Sequence, residues 1–119
     1  MSKVLVIGAS ENPNRYSNKA VRRLVQHGHD VTGVGRSDGK IGDVKIHGGR
    51  PHFDEIDTLT LYLNPQVQEI FKDYIISLAP KRIIFNPGTE NKEWYKELEA
   101  AGIKIEEACT LVLLSTGQF

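Results

Sequence analysis

The chain reads as a doubly wound α/β domain: a five-stranded, mainly parallel sheet in the order 3-2-1-4-5, with helices on both faces. Three observations predict this. Short aliphatic runs alternate with segments of helical periodicity, in the order β-α-β-(loop)-β-α-β-α-β. Parallel strands joined in this way cross over right-handedly, which covers both faces of the sheet. The 119 residues are the size of one ordinary domain, expected to span 1–119, and 39% hydrophobic with 25% charged content is typical of soluble globular chains. The expected architecture is a Rossmann-like three-layer sandwich. Its ligand crevice lies where the chain reverses direction in the sheet, here expected at the carboxyl ends of the first and fourth strands.

Lys3 to Gly8 (KVLVIG) is almost continuously aliphatic, as a strand buried on both faces must be. From Ser17 the period lengthens: Ala20, Val21, Leu24 and Val25 recur at helical spacing, with Lys19, Arg22, Arg23 and Gln26 opposite. Ser17 is the expected cap, and Gly28 stands where a left-handed C-terminal residue is wanted. Asp30 to Gly35 (DVTGVG) is the second strand. The glycine-rich stretch 36–52 lacks periodicity and reads as a loop with one short extended piece at Val44 to Ile46; a single helical turn is expected at Phe53 to Ile56. Thr58 to Leu63 is the third strand. Asn64-Pro65 then starts a helix, an N-cap followed by proline at the first helical position, with Val67, Ile70, Phe71, Tyr74, Ile75 and Leu78 forming one apolar face. Arg82 to Asn86 is the fourth strand, broken by Pro87-Gly88. Thr89 or Asn91 caps a helix carrying Trp94, Leu98 and Ala101, closed by Gly102. Ile103 to Glu106 is the fifth strand, and Cys109 to Leu114 is either a closing strand or a turn of helix.

Composition excludes several function classes. Fifteen Lys+Arg balance fifteen Asp+Glu, so no global field draws the chain to nucleic acid or to an anionic membrane, and any anion site has to be local. The single cysteine excludes an intrachain disulfide. The five apolar residues between Lys3 and Ser10, Gly8 aside, are too few for the core of a signal peptide, and no run reaches membrane-spanning length. A cytoplasmic location is therefore the expectation.

The first turn, Gly8-Ala9-Ser10-Glu11-Asn12-Pro13-Asn14-Arg15-Tyr16-Ser17, carries the most chemistry. Gly8 permits a tight turn in which a phosphate can approach the backbone, Ser10 and Ser17 can donate hydroxyl hydrogen bonds, and Arg15 brings a charge. The G-x-G-x-x-G spacing of dinucleotide-binding turns is missing. So is the acidic residue that holds an NAD ribose at the end of the second strand, where Gly35-Arg36-Ser37 stands instead, with Lys40 soon after. A guanidinium there suits a phosphorylated ribose, either the 2′-phosphate of NADP or the 3′-phosphate of coenzyme A. Composition alone leaves Arg36 and Lys40 open to being solvated loop charges.

The whole pattern resembles the small CoA-binding protein family, whose fold is similar to the N-terminal domain of the succinyl-CoA synthetase α subunit. The resemblance runs over almost the entire chain. It is carried by V-x-G-A-S-x-x-P-x-R-x-S from Val6 to Ser17, the loop containing Gly42, Tyr62-Leu63-Asn64-Pro65, the turn Asn86-Pro87-Gly88-Thr89-Glu90-Asn91, and Cys109. It implies a site for coenzyme A or an acyl-CoA. Gly8, Ala9, Ser10, Arg15 and Ser17 would line the pyrophosphate and pantetheine side, with Arg36 and Lys40 at the adenosine phosphate. Tyr62, Leu63 and Asn64 would flank the ligand, and Asn86, Pro87 and Gly88 would close the crevice. The chain departs from its relatives in two places: many have arginine where Leu63 or Asn64 stands, and proline where Thr110 follows the cysteine.

Chemistry is not expected. Related acyl-CoA synthetases use a phosphorylated histidine from a second domain that this chain lacks. His27 and His29 sit at a helix end, where a cation suits the dipole, and His47 and His52 make no metal-ligand motif. Cys109 reads as a small buried hydrophobe. Glu106 and Glu107 are neighbours on a strand and point to opposite faces. The reading is thus a non-catalytic CoA-binding module with a small nucleotide ligand as partner, for which a homodimer is open. Two alternatives remain: a small NADP-dependent reductase or ligase partner subunit, and a protein-interaction module with a vestigial nucleotide site.

Overall fold

The computed structural model describes residues 2–119. The five expected strands are present as β1 (Lys3–Ile7), β2 (Asp30–Val34), β5 (Thr58–Leu61), β6 (Arg82–Phe85) and β7 (Lys104–Glu107). Two more, β3 (Gly39–Ile41) and β4 (Val44–His47), come from the stretch expected to be mostly loop. The extended piece at Val44 to Ile46 is the core of β4. It folds back on β3 through Gly42-Asp43, with Gly42 at φ +58° in the first central position of a two-residue hairpin loop.

The sheet order is β3-β4-β2-β1-β5-β6-β7, all parallel except for the β3–β4 hairpin. This corrects the expected five strands and their 3-2-1-4-5 order. Residues 58–61 were expected beyond the second strand, but that edge of β2 is taken by β4, with Gly33 opposite Ile46 and Val34 opposite His47. The segment pairs instead with the free edge of β1, Val4 opposite Thr58 through Ile7 opposite Leu61. The crevice therefore opens between the first and third of the expected strands, β1 and β5, rather than between the first and fourth.

Alternate residues of β1 serve opposite faces. Leu5 and Ile7 join a core with Ile75, Leu78, Trp94 and Leu98. Val4 and Val6 join a second core with Val21, Leu24 and Leu114. One face is thus covered by α1 (Tyr16–Gln26) and α5 (Thr110–Ser115), the other by α3 (Lys72–Leu78) and α4 (Lys92–Ala100). The end of the chain that had read equally as strand or helix is helical. Phe53 to Ile56 makes a bend, not the expected helical turn.

Caps differ from expectation in detail. Helix α1 begins at Tyr16 with Arg15 at the N-cap and no side-chain cap bond, so Ser17 lies inside the first turn instead of capping it. Gly28 closes α1 at φ +82°, and the His29 N–H reaches back to the Leu24 carbonyl at 3.1 Å. Neither Thr89 nor Asn91 caps α4 with its side chain: the Thr89 hydroxyl donates to the Asn86 carbonyl, and the Asn91 amide donates to Gln68. Asn64 does act as foreseen, its Oδ1 accepting the Val67 N–H at 3.1 Å ahead of α2 (Pro65–Gln68). Asn64→Ala is expected to cost about 1 kcal/mol and to lower Tm by roughly 4 °C in a thermal melt.

Candidate functional site

β1 feeds α1 on one face of the sheet, and β5 feeds α2 and α3 on the other. Neighbouring strands that send their connections opposite ways leave a gap at their carboxyl ends. A crevice of about 1450 Å³ opens there, ample for a ligand of nucleotide size.

The floor is the β1–α1 turn, held by its own chain. The Gly8 and Ala9 amides both donate to the Val34 carbonyl, at 2.9 and 3.0 Å, so these two N–H groups point into the sheet and not at a ligand. Gly8 takes φ +94°, and a Cβ there would stand 3.0 Å from the Tyr62 carbonyl carbon. Beyond it the turn wires itself together. Ser10 Oγ accepts the Asn12 N–H (3.1 Å), Asn12 Oδ1 accepts the Asn14 N–H (3.0 Å), and Asn18 Nδ2 donates to the Ser10 carbonyl (2.8 Å). The donors left for an anion include the first-turn amides of α1, which carry no side-chain cap and no acidic residue.

Eleven of the thirteen residues singled out from the sequence border this crevice: Gly8, Ala9, Ser10, Arg15, Ser17, Arg36, Tyr62, Leu63, Asn64, Pro87 and Gly88. The other two lie elsewhere. Lys40 is exposed on β3, where its backbone N–H donates to the Glu11 carboxylate at 2.9 Å. Asn86 is 2% exposed and its side chain is fully engaged inside the protein. Its Nδ2 donates to Thr60 Oγ1 (2.7 Å) and to the Leu61 carbonyl (2.9 Å), while Oδ1 accepts the Thr110 N–H (2.9 Å). It ties β5, β6 and α5 together beneath the crevice.

The structure adds residues that the sequence reading passed over. Gly48, Gly49 and Arg50 follow β4 and border the crevice beside Arg36 and Ser37. The Arg50 guanidinium lies 4.7 Å from the centroid of the Phe71 ring, a cation–π stack that orients it. The alternation of Val44 and Ile46 was the signal: a strand there, parallel to β2, delivers its C-terminal glycines to the same end of the sheet as Gly8 and Gly35. Glu11, also on the rim, has its carboxylate occupied by the hairpin.

Arg15, Arg36 and Arg50 therefore converge on one crevice, and none makes an ion pair with a described residue. In a chain of zero formal charge this is a local concentration of positive potential in a concave site, where the field is focused. Burial pushes the Tyr62 hydroxyl up to about 12, so it stays a neutral phenol. The crevice can bind an extended, multiply phosphorylated molecule: guanidinium forks at the rim, helix N–H groups at the floor, and an apolar wall on the side of Leu63, Val67 and Phe71.

Comparisons with solved structures show the fold, and a family model shows the family. No curated protein matches the chain. A solved structure described as an uncharacterized protein is 48% identical, with a TM-score of 0.96 over 100% of this chain and 98% of that one. A hypothetical protein from Pyrococcus horikoshii OT3 is 24% identical, with a TM-score of 0.84 over 97% of this chain and 82% of its own, and shares the fold. So does a Thermus thermophilus protein, 20% identical with a TM-score of 0.86, covering 99% of this chain and 91% of that one. No helix among the described residues is long and apolar enough to cross a membrane. A family model for the CoA binding domain matches residues 2–115, nearly the whole chain and all of the crevice, so the chain belongs to the CoA-binding domain family.

Proposed function

We propose that this chain binds coenzyme A or an acyl-CoA in the crevice between β1 and β5, and carries out no reaction on it. The observation that carries the reading is the convergence of three guanidinium groups without carboxylate partners on one crevice. Coenzyme A offers a pyrophosphate and a 3′-phosphate, anions at two places along one extended molecule. Arg15 and the uncapped start of α1 suit the pyrophosphate. Arg36 suits the ribose phosphate, as a bidentate donor to its oxygens.

The lining offers little for chemistry. Among the described residues, no histidine or cysteine borders the crevice. Burial keeps the Tyr62 phenol protonated, so near neutrality it offers no phenolate to act as base or nucleophile. Cys109 lies outside the lining at the start of α5. Holding an acyl-CoA intact is what such a site does.

Isothermal titration tests the proposal. CoA is expected to bind, and 3′-dephospho-CoA to bind at least about tenfold more weakly, the value of one charge-assisted hydrogen bond. Arg36→Ala should lower affinity for CoA by a similar factor and leave that for 3′-dephospho-CoA almost unchanged. Mass spectrometry of the released ligand should recover acyl-CoA unhydrolysed. Tighter binding of NADPH than of CoA, or no heat with millimolar CoA, would overturn the proposal.

A further inference from the structure

The expected apolar face of the segment 67–78 divides in two. Gln68, Ile75 and Leu78 are buried, with Phe71 half-buried on the same stripe. Val67 and Ile70 are turned roughly 100° away, one residue round the helix, and are 41% and 61% exposed. A glutamine is inside while a valine and an isoleucine are outside, the reverse of what burial of apolar surface favours.

Gln68 holds the segment in this orientation. It is 0% exposed, and its Nε2 donates to the Leu63 and Thr89 carbonyls, each at 2.7 Å. Its Oε1 accepts from Asn91 Nδ2 at 3.0 Å. The amide is fully satisfied and bridges three segments, so α2 cannot roll Val67 and Ile70 into the core without orphaning buried carbonyls. The helix breaks into a 3-10 turn at Glu69–Phe71 in keeping this orientation.

The outward apolar side chains are not scattered. Five large hydrophobic residues are exposed among those described: Tyr16, Val25, Val67, Ile70 and Val112. Three of them, Tyr16, Val67 and Ile70, border the same crevice, where Leu63 and Phe71 join them. A shelf of this kind beside an anion-binding rim is matched to a ligand with a phosphorylated end and an apolar end.

We infer that the shelf of Val67 in α2 and Ile70 in the 3-10 turn that follows, in the same crevice as Tyr16, seats an apolar acyl chain, so that the ligand class is a medium-chain acyl thioester of CoA rather than free CoA. This rests on the CoA reading above and names the substrate class of that same site. A fully buried methylene is worth about fourfold in affinity, and a shelf open on one side yields less.

The test is titration calorimetry of the whole protein with CoA, acetyl-CoA and octanoyl-CoA. Octanoyl-CoA is expected to bind at least about tenfold more tightly than acetyl-CoA. In the double variant Val67→Ser, Ile70→Ser, both exposed positions, that gain should fall below about threefold, with each thioester's Kd taken relative to the variant's own Kd for CoA. Equal affinity for the two thioesters, or a chain-length gain that survives in the double variant, overturns the inference and leaves CoA binding standing. So does sedimentation showing a dimer that the double variant dissociates, because the shelf is then covered by a second copy. Failure of CoA itself to bind removes the underlying reading and this inference together.

Discussion

Gly35→Ala is expected to destabilise the protein by about 3 kcal/mol or more, lowering Tm by more than roughly 10 °C for a chain of this length. An added Cβ would stand 2.3 Å from the Ala9 carbonyl oxygen and 3.1 Å from Ile46 Cγ2. The first of these contacts is with backbone, which cannot rotate aside like a side-chain tip. Relief would require the first turn to lift away from β2, and that turn is held by the Gly8 and Ala9 amides on the Val34 carbonyl. On the other side, the Gly35 N–H donates to the His47 carbonyl at 2.9 Å. The variant must therefore break hydrogen bonds or tolerate the collision. Gly49→Ala is the control, since a Cβ there meets nothing within 4 Å, and it should change stability by less than about 0.5 kcal/mol. Urea melts followed by circular dichroism report both. A wild-type midpoint for Gly35→Ala would mean that the turn does not lie against β2 as described, and the floor of the crevice would have to be redrawn.

Asn86→Ala is expected to cost about 3–5 kcal/mol, because the loss falls on partners and not on the asparagine alone. The Thr110 N–H and the Leu61 carbonyl lose their Asn86 hydrogen bonds, and leaving a buried donor or acceptor unmade costs about 1–3 kcal/mol each. Thr60 Oγ1 loses a donor too, though it keeps the Thr110 hydroxyl at 2.7 Å. The consequence should be regional. Helix α5 is docked on the sheet through Thr110, so hydrogen exchange in 110–115 should rise before that in β1 or β5. Ligand affinity separates this role from direct contact: at a temperature where the variant is still folded, its Kd for CoA should stay within about threefold of wild type. A protein of unchanged stability that had lost CoA would instead put the Asn86 side chain at the ligand.

These expectations mark where sequence patterns and three-dimensional packing part company. The Asn86-Pro87-Gly88 turn was recognisable as a feature of the crevice, and Pro87 and Gly88 do border it. Which way the asparagine pointed was not readable, because a polar residue at a strand end suits a ligand and a buried network equally well. Arg50 was passed over because its loop has no periodicity. Its place depends on β4 pairing with β2, a contact between distant segments.

The sequence by itself determined the α/β class, the two-sided burial of the central strands, the Asn64 cap and the tight turn at Gly8. All of these are local: side-chain period, backbone freedom and capping chemistry act within a few residues. Tertiary structure alone decided the rest. The hairpin took the free edge of β2 and sent 58–61 to β1, and Gln68 turned inward while Val67 and Ile70 faced the crevice. Both outcomes were choices between alternatives of nearly equal local propensity. An aliphatic strand pairs with whichever edge is open, and a helix with apolar residues on two adjacent stripes buries the one whose polar member finds partners.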